Sequence, residues 1–211
     1  MVEEWLRGVV AALAGLGTAV RRDEADAVHQ ARTATRRLRA VLAVVPGEAA
    51  AAARKELKSY GRLLGAARDL EVRAGLAAQL LDEAGEQGAD AARERLVDDV
   101  RAAYRDAHER VVAYLDGSAY PRLLELLDVA AGDAEGIDEL AVQHEARKHS
   151  RAMRYLAEAL GDDETAAAGA ALQDAFGDRR DYELLARSLD GETDEPLVRV
   201  RDTARARAAT A

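Results

Sequence analysis

The segment Val28 to Val45 holds four arginines and one histidine and no carboxylate, in a chain whose formal net charge is -9. Wound as an α-helix at about 100° per residue, it sorts its side chains onto two faces. His29, Arg32, Arg36 and Arg39 follow an i, i+3, i+7, i+10 spacing. They share an arc of roughly 80° and run about 15 Å along the axis. Ala31, Ala34, Leu38, Val41, Leu42 and Val45 gather opposite. Such a pattern demands a helix with one face in a core and the other a rail of positive charge.

The rail occurs twice. His144, Arg147, Arg151 and Arg154 repeat the spacing 115 residues downstream, with Met153 in the place of Leu38. A second signature recurs 112 residues apart: Leu64-Gly65-Ala66-Ala67-Arg68-Asp69-Leu70-Glu71 and Phe176-Gly177-Asp178-Arg179-Arg180-Asp181-Tyr182-Glu183 share apolar-G-x-x-R-D-x-E. Two registered pairs point to an internal duplication. In the second signature, Gly65 and Gly177 are expected to end helices in the left-handed conformation. Asp69 and Asp181 are then expected to cap the next helices, with Glu71 and Glu183 in their first turns.

Ala, Leu, Arg and Glu dominate the 211 residues, aromatics make up 4%, and no stretch alternates with period two for long. These are helix formers, so the expectation is an all-α chain. The first half should hold helices at Val2–Val20, Val28–Val45, Glu48–Leu64, Asp69–Ala84 and Ala89–Leu115. Gly117-Ser118 then separates an N-terminal bundle, 1–118, from a C-terminal bundle, 119–211. In the second half, helices are expected at Tyr120–Ala131, Asp138–Leu160, Asp162–Phe176, Asp181–Leu189 and Leu197–Ala208, making about five helices per half.

Cysteine is absent, which excludes disulfides, thiol nucleophiles and cysteine-ligated metals. Glu3 and Glu4 stand where a secretory signal carries positive charge, and the uncharged run Gly8–Val20 is too short to span a bilayer. A soluble, cytoplasmic protein with no membrane partner is the expectation. A pI near 5.1 argues against a general nucleic-acid binder but leaves room for a local basic groove.

His29-x-x-Arg32-x-x-x-Arg36-Arg37-Leu38-Arg39, the Leu-Gly-x-x-Arg-Asp turn and the second His-x-x-Arg-Lys-x-x-Arg-x-Met-Arg-Tyr rail resemble the CHAD domain, the conserved histidine α-helical domain. The resemblance runs from the first helix to about Leu189. It implies two helical bundles related by a pseudo-twofold axis, flanking a central basic groove that binds inorganic polyphosphate. It also implies an association with polyphosphate-metabolising enzymes of the CYTH type, and a location that includes polyphosphate granules.

The residues suit that chemistry. Polyphosphate carries roughly one negative charge per phosphate, and arginine forks match phosphate oxygens. A histidine donates one hydrogen bond when neutral and two when protonated. The binding residues expected are His29, Arg32, Arg36, Arg37 and Arg39 on the first rail, and His144, Arg147, Lys148, Arg151 and Arg154 on the second. Lys55, Lys58 and Arg62 repeat i, i+3, i+7 beside the first rail, whereas Asp162–Phe176 has no basic residue. Arg37 and Lys148 lie off the centres of their stripes, and Arg199, Arg201, Arg205 and Arg207 read as a solvated basic tail.

Enzyme motifs fail. His144-Glu145 begins an H-E-x-x-H pattern, but His149 comes one position late and, after roughly 500° of rotation, points elsewhere. Gly15-Leu16-Gly17 does not continue as a dinucleotide or phosphate loop, and no Glu-x-Glu-x-Lys triplet occurs. The expectation is a non-catalytic binding protein without metal or cofactor. Two rivals remain: a basic-groove scaffold for nucleic acid or an acidic protein, and a phosphatase or phosphotransferase that uses His29 or His144.

Overall fold

The computed structural model describes residues 2–84, 90–135 and 150–210, the side chains of 150–153 and 171–178 excepted. Among the described residues there is helix and turn and no strand. In chain order the helices are α1 (Val2–Arg21), α2 (Ala27–Val41), α3 (Glu48–Ala84), α4 (Asp90–Arg93), a π turn (Glu94–Asp98), α5 (Asp99–Asp116), α6 (Ala119–Gly132), α7 (Ser150–Leu160), α8 (Asp163–Ser188) and α9 (Glu195–Thr210).

Two expected helix breaks are absent. α3 runs unbroken through Gly65 and Asp69, and α8 runs through Gly177 and Asp181. Gly65 does not take a positive φ, whereas Gly47, Gly161 and Gly191 do. The glycine of the repeated signature therefore does not cap, and its aspartate sits inside a helix. Gly161, by contrast, ends α7 as expected: the Asp162 N–H reaches back to the Ala157 carbonyl at 2.9 Å. Asp162 then caps α8 by accepting from the Thr165 N–H at 3.1 Å, and its hydrogen bonds with Thr165 hold its carboxyl below the usual range.

The chain forms two compact units, each drawn from both halves of the sequence. The first takes Met1–Gly65 and His108–Ala170; the second takes Ala66–Ala107 and Ala171–Ala211. Gly117-Ser118 does separate α5 from α6, but the units do not divide there. Both long helices, α3 and α8, give their N-terminal part to the first unit and the rest to the second.

In the first unit α1 packs on α2, α6 and α7. On α1 Leu6, Val9, Leu13, Gly17 and Val20 form the buried stripe, while Trp5 and Leu16 are half-buried at its flanks. Tyr60, Tyr114 and Tyr120 form an aromatic cluster, with Tyr60 and Tyr114 stacked at 4.9 Å and the Tyr120 hydroxyl donating to the Leu13 carbonyl at 3.0 Å. Burial pushes the Tyr114 phenol up to about 12, and it raises Tyr60 and Tyr120 as well. His108 is buried too, with Nε2 2.7 Å from the Val20 carbonyl oxygen, and so ties α5 to the end of α1.

In the second unit the core joins Ala77, Leu80 and Leu81 of α3 to Leu96 and Val97 of the π turn, Leu185 and Leu189 of α8, and Leu197, Val200 and Ala204 of α9. α9 is thus a packed helix and not a solvated tail. Its cations are ion-paired: Arg199 with Glu195, Arg201 with Asp202, Arg205 with Asp190, and Arg207 with Glu83.

Candidate functional site

Helix α2 carries the first rail, and besides α1 it has two neighbours in the first unit, identified by close contacts. On one side is α3. A Cβ placed on Gly61 would lie 3.2 Å from the Thr35 methyl, and one on Gly65 would lie 3.6 Å from the Arg32 Nε. The absence of a side chain at Gly61 lets α2 approach closely, and Gly65, one turn on, lies against the half-buried Arg32 with room for a methyl group. On the other side is α7, reached by Arg36 and Arg37.

The first rail faces out between these neighbours. His29, Arg36 and Arg39 are exposed, as are Lys55, Lys58 and Arg62 on α3. On α3, Lys58 and Arg62 lie within roughly 100° of Gly61 and Gly65 around the axis. Among the described residues no carboxylate pairs with His29, Arg36, Arg39, Lys55, Lys58 or Arg62. Arg32 and Arg37 differ from these in being half-buried.

Of the second rail, His144, Arg147 and Lys148 lie outside the described residues. Arg151 is on α7, but its side chain is among those not described. Arg154 is described, and it meets the first rail. Its guanidinium stands 5.6 Å from the centre of the Tyr155 ring, while that of Arg36 stands 5.9 Å from the same ring. Tyr155 itself is buried, so its ring is a shared platform for two cations from helices far apart in sequence. Gly169 of α8 presses α7 from behind: a Cβ there would lie 2.9 Å from the Arg154 Cβ.

One carboxylate stands between the rails. Glu158 accepts from the Arg154 Nε at 3.0 Å, one helical turn away. Its other oxygen lies 2.6 Å from the Arg37 Nη2, close enough for strong attraction but not aligned as a hydrogen bond. Arg37 also stacks over the Trp5 ring at 5.3 Å. Arg37 is therefore held as an internal ion pair at the edge of the rail. Sequence reasoning missed Trp5 and Glu158 as parts of the site. The i, i+4 spacing of Arg154 and Glu158 was a signal for half of the second; nothing local pointed to Trp5.

His108, off the rails, is a structural residue, and His149 lies outside the described residues. Among the described residues no group of three or more histidines or carboxylates could hold a metal ion, and no helix is long and apolar enough to cross a membrane.

A family model for the CHAD domain matches residues 4–143. The chain belongs to the CHAD domain family. The match takes in the first rail and the α3 cations and ends just before His144, so it does not reach the second rail. Two curated relatives share 31% identity with this CHAD chain over 205 residues. They are the uncharacterized protein MT2285 of Mycobacterium tuberculosis (strain CDC 1551 / Oshkosh) and the uncharacterized protein Rv2226 of Mycobacterium tuberculosis (strain ATCC 25618 / H37Rv). Each alignment covers 77% of this chain, which spans about 40% of the length of those relatives. No solved structure matches.

Proposed function

We propose that this CHAD protein binds inorganic polyphosphate, without turning it over, on the basic face formed by α2, α3 and α7. The observation that carries the reading is the meeting of Arg36 and Arg154 on one tyrosine ring. Arg154, the last cation of a stripe 115 residues downstream, is a neighbour of Arg36, and in this reading a flexible polyanion crosses there from one stripe to the other. His29, Arg36, Arg39, Lys55, Lys58 and Arg62 offer cations with no carboxylate partner among the described residues along this path; Arg32, Arg37 and Arg154 form its inner edge. In this reading His144, Arg147, Lys148 and Arg151 extend the same path.

Each contact is a charge-assisted hydrogen bond of modest worth, so affinity grows with the number of phosphates engaged and falls with salt. A protein of this kind serves a separate polyphosphate-metabolising enzyme or marks polyphosphate granules in the cytoplasm. Nucleic acid is a poor fit, because a face flanked by the acidic remainder of the chain repels a rigid duplex.

The test is calorimetry with orthophosphate, tripolyphosphate, long-chain polyphosphate and duplex DNA at two salt concentrations. Arg36→Ala combined with Arg151→Ala should weaken long-chain binding by more than about tenfold, as loss of two charge-assisted contacts implies, with helix content intact. Unchanged affinity in that variant refutes the site. Effective competition by DNA would favour a scaffold, and turnover of polyphosphate by the purified protein with metal would favour an enzyme.

A further inference from the structure

Glu158 of α7 stands between one guanidinium from each stripe. One of its oxygens accepts from the Arg154 Nε at 3.0 Å, and the other lies 2.6 Å from the Arg37 Nη2. A single carboxylate thus holds two arginines, as one anionic group of a bound chain would. Its pairing with Arg37 is close but incomplete. The Glu158 Oε2 has no donor and the Arg37 Nε–H has no acceptor, and both atoms are buried. Groups left in that condition keep a desolvation cost that an aligned pair would offset.

The three side chains are not sealed in. Those of Arg37, Arg154 and Glu158 are 33%, 26% and 17% exposed. Arg37 rests over the ring of Trp5, the only tryptophan of the chain. Any departure of Arg37 from Glu158 therefore removes a cation from the only indole. On the same helix Arg36 and Arg39 are exposed and have no carboxylate partner among the described residues. Arg36 shares the Tyr155 ring with Arg154, so the open cations of α2 lead directly to the place that Glu158 fills.

We propose that Glu158 is an internal stand-in for phosphate that sets a minimum length on the ligand. Only a chain anchored on the open cations of α2 displaces it, and Arg37 then turns off Trp5 onto the phosphates. The inference rests on the polyphosphate reading above and adds to it which residue selects among phosphates. An anchored chain presents its next phosphates to Arg37 and Arg154 at an effective concentration in the millimolar range or above. Orthophosphate has no tether and competes from bulk solution against a carboxylate that the fold holds in place. On leaving, Arg37 also frees its buried Nε–H for a phosphate oxygen or water, which it lacks beside Glu158.

The experiment is Trp5 fluorescence of the full chain, titrated with orthophosphate and with long-chain polyphosphate at equal ionic strength, with calorimetry in parallel. The long chain is expected to change the emission saturably, with the midpoint that calorimetry gives. Orthophosphate at the same phosphate concentration should give less than about a tenth of that change. In Glu158→Gln, orthophosphate should change the emission at concentrations where the wild type shows no response. Arg37→Gln should lose the Trp5 response while calorimetry still registers the long chain. Circular dichroism confirms the fold of each variant; if Arg37→Gln does not fold, the wild-type and Glu158→Gln titrations decide. Four results overturn the proposal and leave polyphosphate binding standing: long-chain binding that does not alter Trp5, an equal wild-type response to orthophosphate, no gain in Glu158→Gln, or a full response in Arg37→Gln. Absence of any heat of binding with the long chain removes the polyphosphate reading, and this one with it.

Discussion

Arg37 on α2 and Glu158 on α7 face each other across the contact between their helices, Nη2 to Oε2 at 2.6 Å. Because Glu158 also accepts from Arg154, one carboxylate offsets cations from both rails. Glu158→Gln keeps the side chain's size and one acceptor oxygen and removes the charge. Long-chain polyphosphate should then bind roughly three- to tenfold tighter at low salt, with a steeper salt dependence, as one more free cation implies. Titration calorimetry at two ionic strengths reads both. Weaker binding would mean that Glu158 holds the arginines in position and does not compete for them.

Gly65 and Gly169 should respond in opposite ways to alanine. Gly65 lies within continuous α3, and its added Cβ meets the Arg32 Nε at an ordinary 3.6 Å. Gly65→Ala should therefore stabilise the protein by about 0.5–1 kcal/mol through helix propensity. At Gly169 the new Cβ would lie 2.9 Å from the Arg154 Cβ and 3.3 Å from its Cα, atoms that cannot swing aside. Gly169→Ala should cost about 1–3 kcal/mol. Urea midpoints of the two variants settle both, and a destabilised Gly65→Ala would restore the helix-end reading of that glycine.

Stability should fall at alkaline pH. Tyr60, Tyr114 and Tyr120 are raised in the folded state, Tyr114 to about 12. Above the ordinary phenol value near 10, the unfolded chain has released protons that the folded chain still holds. Unfolding is then favoured more as pH rises, and the loss develops from about pH 10 upward through the folded values. Absorbance at 295 nm followed with circular dichroism should show a late class of tyrosines that ionises together with unfolding. Ionisation of all six tyrosines near pH 10 with the fold intact would contradict this.

Arg205 and Arg207 should matter little to polyanion binding, because both are already paired within the second unit. The variant Arg205→Ala with Arg207→Ala should keep polyphosphate affinity within about twofold and leave the urea midpoint nearly unchanged, because exposed ion pairs contribute little. A loss comparable to that of the rail variant would place α9 on the ligand path.

The helices themselves were legible because their signals are local. The rail spacing and the opposing apolar stripe define α2, and Gly161 followed by Asp162 marks the change from α7 to α8. The repeated glycine-aspartate signature misled for the same reason. Gly65 and Asp69 carry local terminator and cap chemistry, yet α3 passes through both. What Gly65 lies against is Arg32, thirty-three residues away in sequence. Within the site, Arg36 and Arg39 could be named from periodicity. The pairing of Arg37 with Glu158 and its stacking on Trp5 could not, because each partner belongs to a different helix and only packing brings them together. The division at Gly117-Ser118 was visible as a helix break, but whether a break separates compact units depends on where the long helices run.

The core of the second unit joins Ala77, Leu80 and Leu81 of α3 to Leu197, Val200 and Ala204 of α9. More than a hundred residues of synthesis separate the two groups. As the chain leaves the ribosome, the leucines of α3 emerge long before the surface that will cover them. That unit can therefore close only late in translation, and its nascent form must wait with an open apolar seam, within reach of chaperones and proteases.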